Sequence, residues 1–245
     1  MNEIMRSIIL EFLTSFTFSL KAIPRNKIDT FCRDHNIHHI NDCNASSLSM
    51  YQKKPVGSYG DFSVHSNYPN RHLRSIDGGI IVCNKNKHSQ LKIRQRLGVT
   101  KQEYRDDYGE IDSKCDISIA TGANNMSNIS AAFLKTSLSS VDDIRNRYTE
   151  LESYYNDVFN GFSLNKVSDF NPVPWLYPIL VESPLKAKLS LKKVGVDSTR
   201  LHVSNVGYSI FKNAEGVTHN VNKFFERALW LPLSEEIDNF KEVLL

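Results

Sequence analysis

Asp42, Ser66, Arg71 and His72 are residue types that could do chemistry together, and the last three lie within one short stretch, "SNYPNRHLRSIDGG", residues 66–79. A serine hydroxyl beside backbone N–H groups makes a sensible phosphate ligand. A guanidinium keeps its charge at every physiological pH, so it donates hydrogen bonds but neither attacks an aldehyde nor shuttles a proton. An imidazole one residue further on can carry protons near neutral pH. Each also has a plainer reading: Asp42 begins a turn after a strand, Ser66 is a loop serine, and His72 is a surface-loop histidine.

Other candidate chemistry is weaker. The run "HNIHH" (His35, His38, His39) has no carboxylate or cysteine set at ligand spacing, and helix-end and loop histidines are expected instead of a metal site. Cys32, Cys43, Cys83 and Cys115 lie far apart with no C-x-x-C pair, which argues against a zinc knuckle and for reduced cytosolic thiols. The net charge of +3 comes from interleaved acidic and basic residues, so nucleic acid is not an implied partner. The apolar start, "MNEIMRSIILEFLTSFTFSL", is broken by Glu3, Arg6 and Glu11 and has no small-residue cleavage site. It reads as a buried helix, or a helix and strand, and not as a leader or membrane span. With 40% hydrophobic and 23% charged residues, the chain has the composition of a globular protein with a sizeable core.

The elements that must position these residues follow from the spacing of apolar positions. "PRNKIDTFCRDHN" predicts a helix feeding the strand "IHHIND", at whose end Asp42 falls. "GDFSVHS" and the β-branched run "GGIIVCN" read as two further strands, the second a buried one. "KHSQLKIRQRLGV" predicts a short helix, and "TKQEYRDDYGEIDSKCD" a solvated loop. "SNISAAFLKTSL" is a helix with Ile129, Ala132, Phe133 and Thr136 along one side. A longer helix follows in "SSVDDIRNRYTELESYYNDVF", with Ser140 and Asp143 at capping-box spacing and a stripe of Val141, Ile144, Tyr148, Leu151, Tyr155 and Val158. Beyond Pro172, "PVPWLYPILVE" and "TRLHVS" predict strands, "LKAKLSLKKVG" a helix ended by Gly195, and "SEEIDNFKEVLL" a closing helix.

Four stretches in this order carry a family resemblance: "IHHINDCNASSLSMYQKKPVGSYGDFSVHS", "RHLRSIDGGIIVCN", "TGANNMSNISAAFLKTSLSSVDDIRNRYTELESYY" and "RALWLPLSEEIDNF". The chain resembles the DegT-type sugar aminotransferases, which use pyridoxal phosphate (PLP) to aminate keto sugars attached to nucleotides. The resemblance implies an α/β architecture of PLP fold type I. Residues 1–138 would form a partial large domain with a mostly parallel sheet, and residues 139–245 a bridging helix and a small C-terminal α/β domain. Relatives are longer at the N-terminus, so the chain is expected to lack part of the large domain.

The resemblance also assigns roles. Asp42 matches the acid that pairs with the pyridine nitrogen and keeps the ring an electron sink. Three residues later this chain has Ala45, where the family often has Gln or His. Ser66 matches the phosphate-contacting serine five positions before the lysine that holds the cofactor. Asn124, in "GANNMS", resembles the asparagine sent to the partner subunit's phosphate, in a motif one residue short and without its usual Arg. Gly78 and Gly79 match a Gly-Gly turn. Counting back from them, Arg71 occupies the lysine position, and Lys53, Lys54 and Lys85 are its lysine neighbours in sequence. A dehydratase branch of the family has histidine at that position, acting as a base, and His72 is one residue away.

The expected function is therefore that of a PLP-dependent aminotransferase acting on nucleotide-linked sugars in surface-polysaccharide assembly, with transamination lost or severely impaired through Arg71. The alternative is a non-catalytic homologue, serving as a partner or as a sugar-nucleotide binding module. The expected setting is the cytoplasm, without membrane or nucleic-acid partners. Expected associations are a nucleotide-sugar ligand and either a homodimer or a complex with an intact relative.

Overall fold

The computed structural model describes residues 12–16, 24–99, 104–159, 169–201, 208–211 and 219–234. In chain order the elements are β1 (Phe12–Phe16), α1 (Arg25–Asp34), β2 (His38–Asp42), β3 (Met50–Tyr51), β4 (Lys54–Pro55), β5 (Phe62–Ser66) and β6 (Gly79–Cys83). Then come α2 (Lys85–Gln95), α3 (Asn128–Ser139), α4 (Val141–Val158), β7 (Phe170–Asn171), β8 (Tyr177–Leu180), α5 (Pro184–Lys193), α6 (His219–Arg227) and β9 (Ala228–Leu231). The chain divides into two compact units, the first from residues 1–15, 26–42 and 59–139, the second from 16–25, 43–58 and 140–245.

The first unit is built on a four-stranded sheet in the order β1-β2-β5-β6. β2 and β5 run parallel, with Asp42 opposite Val64, while β6 returns antiparallel to β5 with Gly79 opposite Ser66. The sheet is therefore mixed at its β6 edge. Expected to be buried, β6 instead leaves Ile81 and Val82 about half exposed. A short apolar run reads alike for a buried and an edge strand, and only pairing tells them apart.

Polar contacts lock the start of this sheet. The buried His39 ring pairs with the Asp29 carboxylate of α1. Asp61 accepts the His39 N–H at 3.0 Å and lies 3.3 Å from the Lys87 ammonium of α2, with His38 at 3.4 Å. Burial alone would raise the Asp61 carboxyl, but these partners together hold it below the ordinary carboxylate range. Lys87 also lies over the Phe62 ring, 5.3 Å from its centre, a cation–π contact joining α2 to β5.

In α3 the buried positions are Ser130 and Leu134, whereas Ile129 and Phe133 are exposed. The expected stripe is thus rotated by one residue, because Ser130 is drawn inward by hydrogen bonds. The predicted loop at 104–116 is ordered by its own aspartates. Asp106 accepts the N–H groups of Tyr108 and Glu110 through its side chain, and Asp112 that of Lys114.

The second unit holds an apolar core of Tyr155, Phe159, Tyr177, Ile179, Leu191, Leu229 and Leu231, gathered from α4 and the residue after it, β8, α5 and β9. β8 and β9 pair antiparallel, with Tyr177 opposite Leu231, and Thr199 bridges to Trp230. β9 and α6 have no counterpart among the elements expected from periodicity. Of the strand expected in "TRLHVS" only 199–201 are described, with Thr199 in that bridge, and the rest of it, like the closing helix expected after Ser234, lies outside the described residues. The helix ended by Gly195 is present, with that glycine at φ +82°. The capping box at Ser140 makes no side-chain hydrogen bond. A small sheet, β4-β3-β7, turns through Gln52 and Lys53, both at positive φ.

One buried hydroxyl ties the core of this unit to the chain after β9. Tyr155 Oη donates to the Pro232 carbonyl at 2.6 Å and accepts the Ser234 N–H at 3.1 Å. Burial pushes its pKa up to about 12. The neutral phenol is therefore favoured in the folded state, and the associated stability is full below the unfolded value of about 10 and is lost as pH rises toward the folded one. Tyr155→Phe is expected to cost about 1–3 kcal/mol in urea unfolding at neutral pH, through the backbone groups left unpaired, and to remove this alkaline component of the stability profile.

Candidate functional site

Asp42 and Ser66 are brought together by strand register. In a parallel pair, facing residues project to the same side, so Asp42, its neighbour Val64 and, two residues on, Ser66 share one face of the sheet at its carboxyl end. Such ends are where open α/β sheets receive ligands. Both side chains are half-buried. Ser66 Oγ accepts the Tyr68 N–H at 3.3 Å, which leaves its own hydrogen for a further acceptor.

From Ser66 the chain enters the loop 67–78, and Asn67 closes it. Its side chain, fully buried, donates through Nδ2 to the Leu73 carbonyl at 2.9 Å. Its N–H donates to the Gly78 carbonyl at 3.0 Å and its own carbonyl accepts the Ser75 N–H at 2.7 Å. Within the loop, the Arg71 N–H donates to the Tyr68 carbonyl at 2.9 Å, forming a turn with Pro69 at its second position. α3 holds the far side: Ser75 Oγ donates to the Ser130 carbonyl at 2.6 Å, Ser130 Oγ to Asp77 at 2.8 Å, and Ser137 Oγ to the Arg74 carbonyl at 3.0 Å.

Arg71 is half-buried on this loop. Burial pulls its pKa down from the ordinary guanidinium value and the Asp42 carboxylate pushes back, so the two charges lie within each other's field. The group remains a cation at any working pH. His65, beside Ser66 on β5, also feels Asp42, but burial outweighs it and holds the imidazole below its usual pKa. Its Nε2 is 3.2 Å from Ser63 Oγ. His72 is 2% exposed and so is no surface-loop residue.

Asn124 is placed differently. It is exposed, and its amide donates to the Arg94 and Gly122 carbonyls at 3.3 and 3.4 Å, tying it to the end of α2. Lys53 and Lys54 belong to the β3–β4 turn in the second unit, and Lys85 is exposed at the start of α2. None supplies an amine on the loop that carries Arg71. Two residues that matter here escaped the sequence reading. His65 feels Asp42 although strand alternation puts it with Ser63 on the face opposite Ser66, so no sequence pattern marked it, and Asn67 read as a polar loop residue although it is the loop's clasp.

A carboxylate and a hydroxyl hydrogen at one sheet end, with a guanidinium within the field of that carboxylate, can hold a ligand that has a cationic ring nitrogen, an anionic group and hydrogen-bond acceptors. The sequence over residues 22–242 matches the model of the DegT/DnrJ/EryC1/StrS aminotransferase family. The chain belongs to that family. It is 26% identical over 234 residues to the UDP-4-amino-4,6-dideoxy-N-acetyl-beta-L-altrosamine transaminase of Campylobacter jejuni, covering 90% of this chain and 60% of that protein. To the GDP-perosamine synthase of Escherichia coli O157:H7 it is 27% identical over 163 residues, 64% of this chain and 41% of that one. Among solved structures, the sugar aminotransferase CalS13 from Micromonospora echinospora superposes with a TM-score of 0.82 at 18% identity, over 95% of this chain and 66% of that one. Helicobacter pylori PseC, an aminotransferase involved in the biosynthesis of pseudoaminic acid, gives 0.79 at 18% identity, over 94% and 65%. The fold is thus that of the PLP-dependent sugar aminotransferases, and the chain spans about 60% of the length of the transaminase it matches over most of its own.

Family membership implies pyridoxal phosphate as the cofactor. The donor chemistry fits two of its contacts: Asp42 suits the pyridinium and Ser66 the phosphate. It does not fit the third, a covalent link to a lysine amine, because the loop 67–78 carries Arg71 and Arg74 and no lysine.

Gly79 makes this arrangement possible, since a Cβ there would lie 2.8 Å from the His65 carbonyl oxygen, a backbone atom in the paired strand. Gly79→Ala is expected to lower stability by about 1–3 kcal/mol in urea unfolding by forcing β6 off β5 at Ser66, whereas Ile76→Ala, at an exposed loop position, stays within about 0.5 kcal/mol of wild type.

Proposed function

We propose that this chain is a sugar-aminotransferase homologue that holds a pyridoxal-type cofactor without covalent attachment and does not carry out ordinary transamination. The observation that carries the reading is Arg71, fixed on the loop 67–78 within the field of Asp42. Asp42 would keep the ring nitrogen protonated, and Ser66 would donate to the phosphate. When bound, the cofactor supplies an electron sink for bonds to an attached carbon. Arg71 can orient acceptor oxygens and balance anionic charge, but a lysine amine's proton transfers are beyond it. His72, an imidazole one residue on, is the proton carrier that the loop itself offers.

The ligand class we assign is a nucleotide-linked sugar, supported by the names of the relatives, and surface-polysaccharide assembly is the setting that the family resemblance suggests. Asn124 would serve the phosphate of a partner subunit, in a homodimer or with an intact relative, and its exposure leaves it open to that role. We place the protein in the cytoplasm; among the described residues no helix is long and apolar enough to cross a membrane. The second reading, a non-catalytic partner or sugar-nucleotide binding module, is favoured by the same arginine.

The test is titration of the purified chain with PLP, followed by borohydride reduction and peptide mapping. The expected outcome is saturable binding, removed by dialysis, with no reduced adduct on the loop 67–78, while Arg71→Lys becomes labelled at residue 71. Transamination by the wild-type chain would overturn the proposal. Absence of PLP binding with saturable binding of a nucleotide sugar would establish the second reading.

A further inference from the structure

Resting on the reading that this pocket takes the cofactor, we propose that Arg71 makes it selective for the aldehyde form over the aminated form. The two forms differ at one substituent of the ring. In one it ends in a neutral carbonyl oxygen, a hydrogen-bond acceptor. In the other it ends in an aminomethyl group, an ammonium near neutral pH with donors and no acceptor.

At the corresponding place in the loop this chain has a permanent cation with donors only. A guanidinium can donate to the carbonyl oxygen, whereas the oxygen substituent on the neighbouring ring carbon is common to both forms and does not discriminate between them. Toward the ammonium the guanidinium can only repel, and no acceptor of its own is available. A lysine amine would not discriminate in this way, because it can lose its charge.

The surroundings do not cancel the effect. Asp42 is the carboxylate whose field reaches Arg71 and His65, and in this reading it is engaged by the ring nitrogen. Asp77, on the same loop, is held by Ser130 Oγ at 2.8 Å. His65, half-buried at the end of β5, and His72, buried in the loop, bring no negative charge. Asn67 and the Tyr68 carbonyl fix the backbone that carries Arg71, so an ammonium meets the cation unless the side chain itself swings away and gives up the field of Asp42.

Equilibrium titration of the full chain with PLP and, separately, with pyridoxamine phosphate tests this without any activity readout. Wild type is expected to bind PLP at least about tenfold more tightly, a difference of about 1.4 kcal/mol. Arg71→Ala is expected to bring the ratio close to one, and Arg71→Gln, which keeps hydrogen-bond donors without the charge, to fall between. Circular dichroism checks that each variant is folded, and the Gln variant decides the matter where the Ala variant does not fold. Equal or tighter binding of the aminated form by wild type overturns the proposal, as does a ratio unchanged in the variants. Binding of neither form by wild type overturns the cofactor reading itself, an outcome distinct from equal binding of both.

Discussion

The site depends on one backbone constraint: β6 must return along β5 closely enough for Gly79 to face Ser66. That approach has no room for a side chain, since the His65 carbonyl lies where the Cβ would go. Everything between the two strands is then a loop of fixed span, and its ends are joined by Asn67. The position of Arg71 is a consequence of this closure and of the Tyr68–Arg71 turn inside it. Parallel pairing of β2 with β5 does the rest, bringing Asp42 to the same face as Ser66. In the proposed reading, the family's geometry is retained in backbone terms while the group that performs its chemistry has changed.

Charge gives that change its meaning. Lysine and arginine are both cations in water, but only an amine can give up its proton within reach of neutral pH. In this loop burial opposes the charge on Arg71 and Asp42 favours it, and the guanidinium's high intrinsic pKa decides the contest. On the proposed reading, a site that would alternate between charged and neutral states becomes one of fixed polarity. What it can still do is orient ligands, by a positive loop facing a negative strand end.

The alternation of "GDFSVHS" and the periodicity of "PRNKIDTFCRDHN" were enough to place β5 and α1, because local spacing and burial agree there. The exposure of β6 was not legible, since Ile80, Ile81 and Val82 satisfy any buried-strand pattern, and edge position is settled by what pairs beyond it. In α3, apolar spacing pointed to Ile129 and Phe133, yet Ser127 capping the Ser130 N–H and the Ser75 and Asp77 contacts turn Ser130 inward. The site was half legible. Asp42, Ser66 and Arg71 were singled out by the family resemblance, whereas the parts played by His65 and Asn67 rest on tertiary contacts. A lone histidine or asparagine carries no such mark in a single sequence.

The placement of the two tryptophans has an optical consequence. Trp175 and Trp230 both belong to the second unit, with Trp230 fully buried in β9 and ringed by Phe224 and Phe225. Asp42, Ser66 and Arg71 all belong to the first, which contains no tryptophan. Intrinsic indole emission is accordingly a reporter of one half of the molecule only. A melting curve followed by it describes the α4–β8–β9 core, while the half that holds the site must be followed through its tyrosines or through the absorbance of whatever it binds.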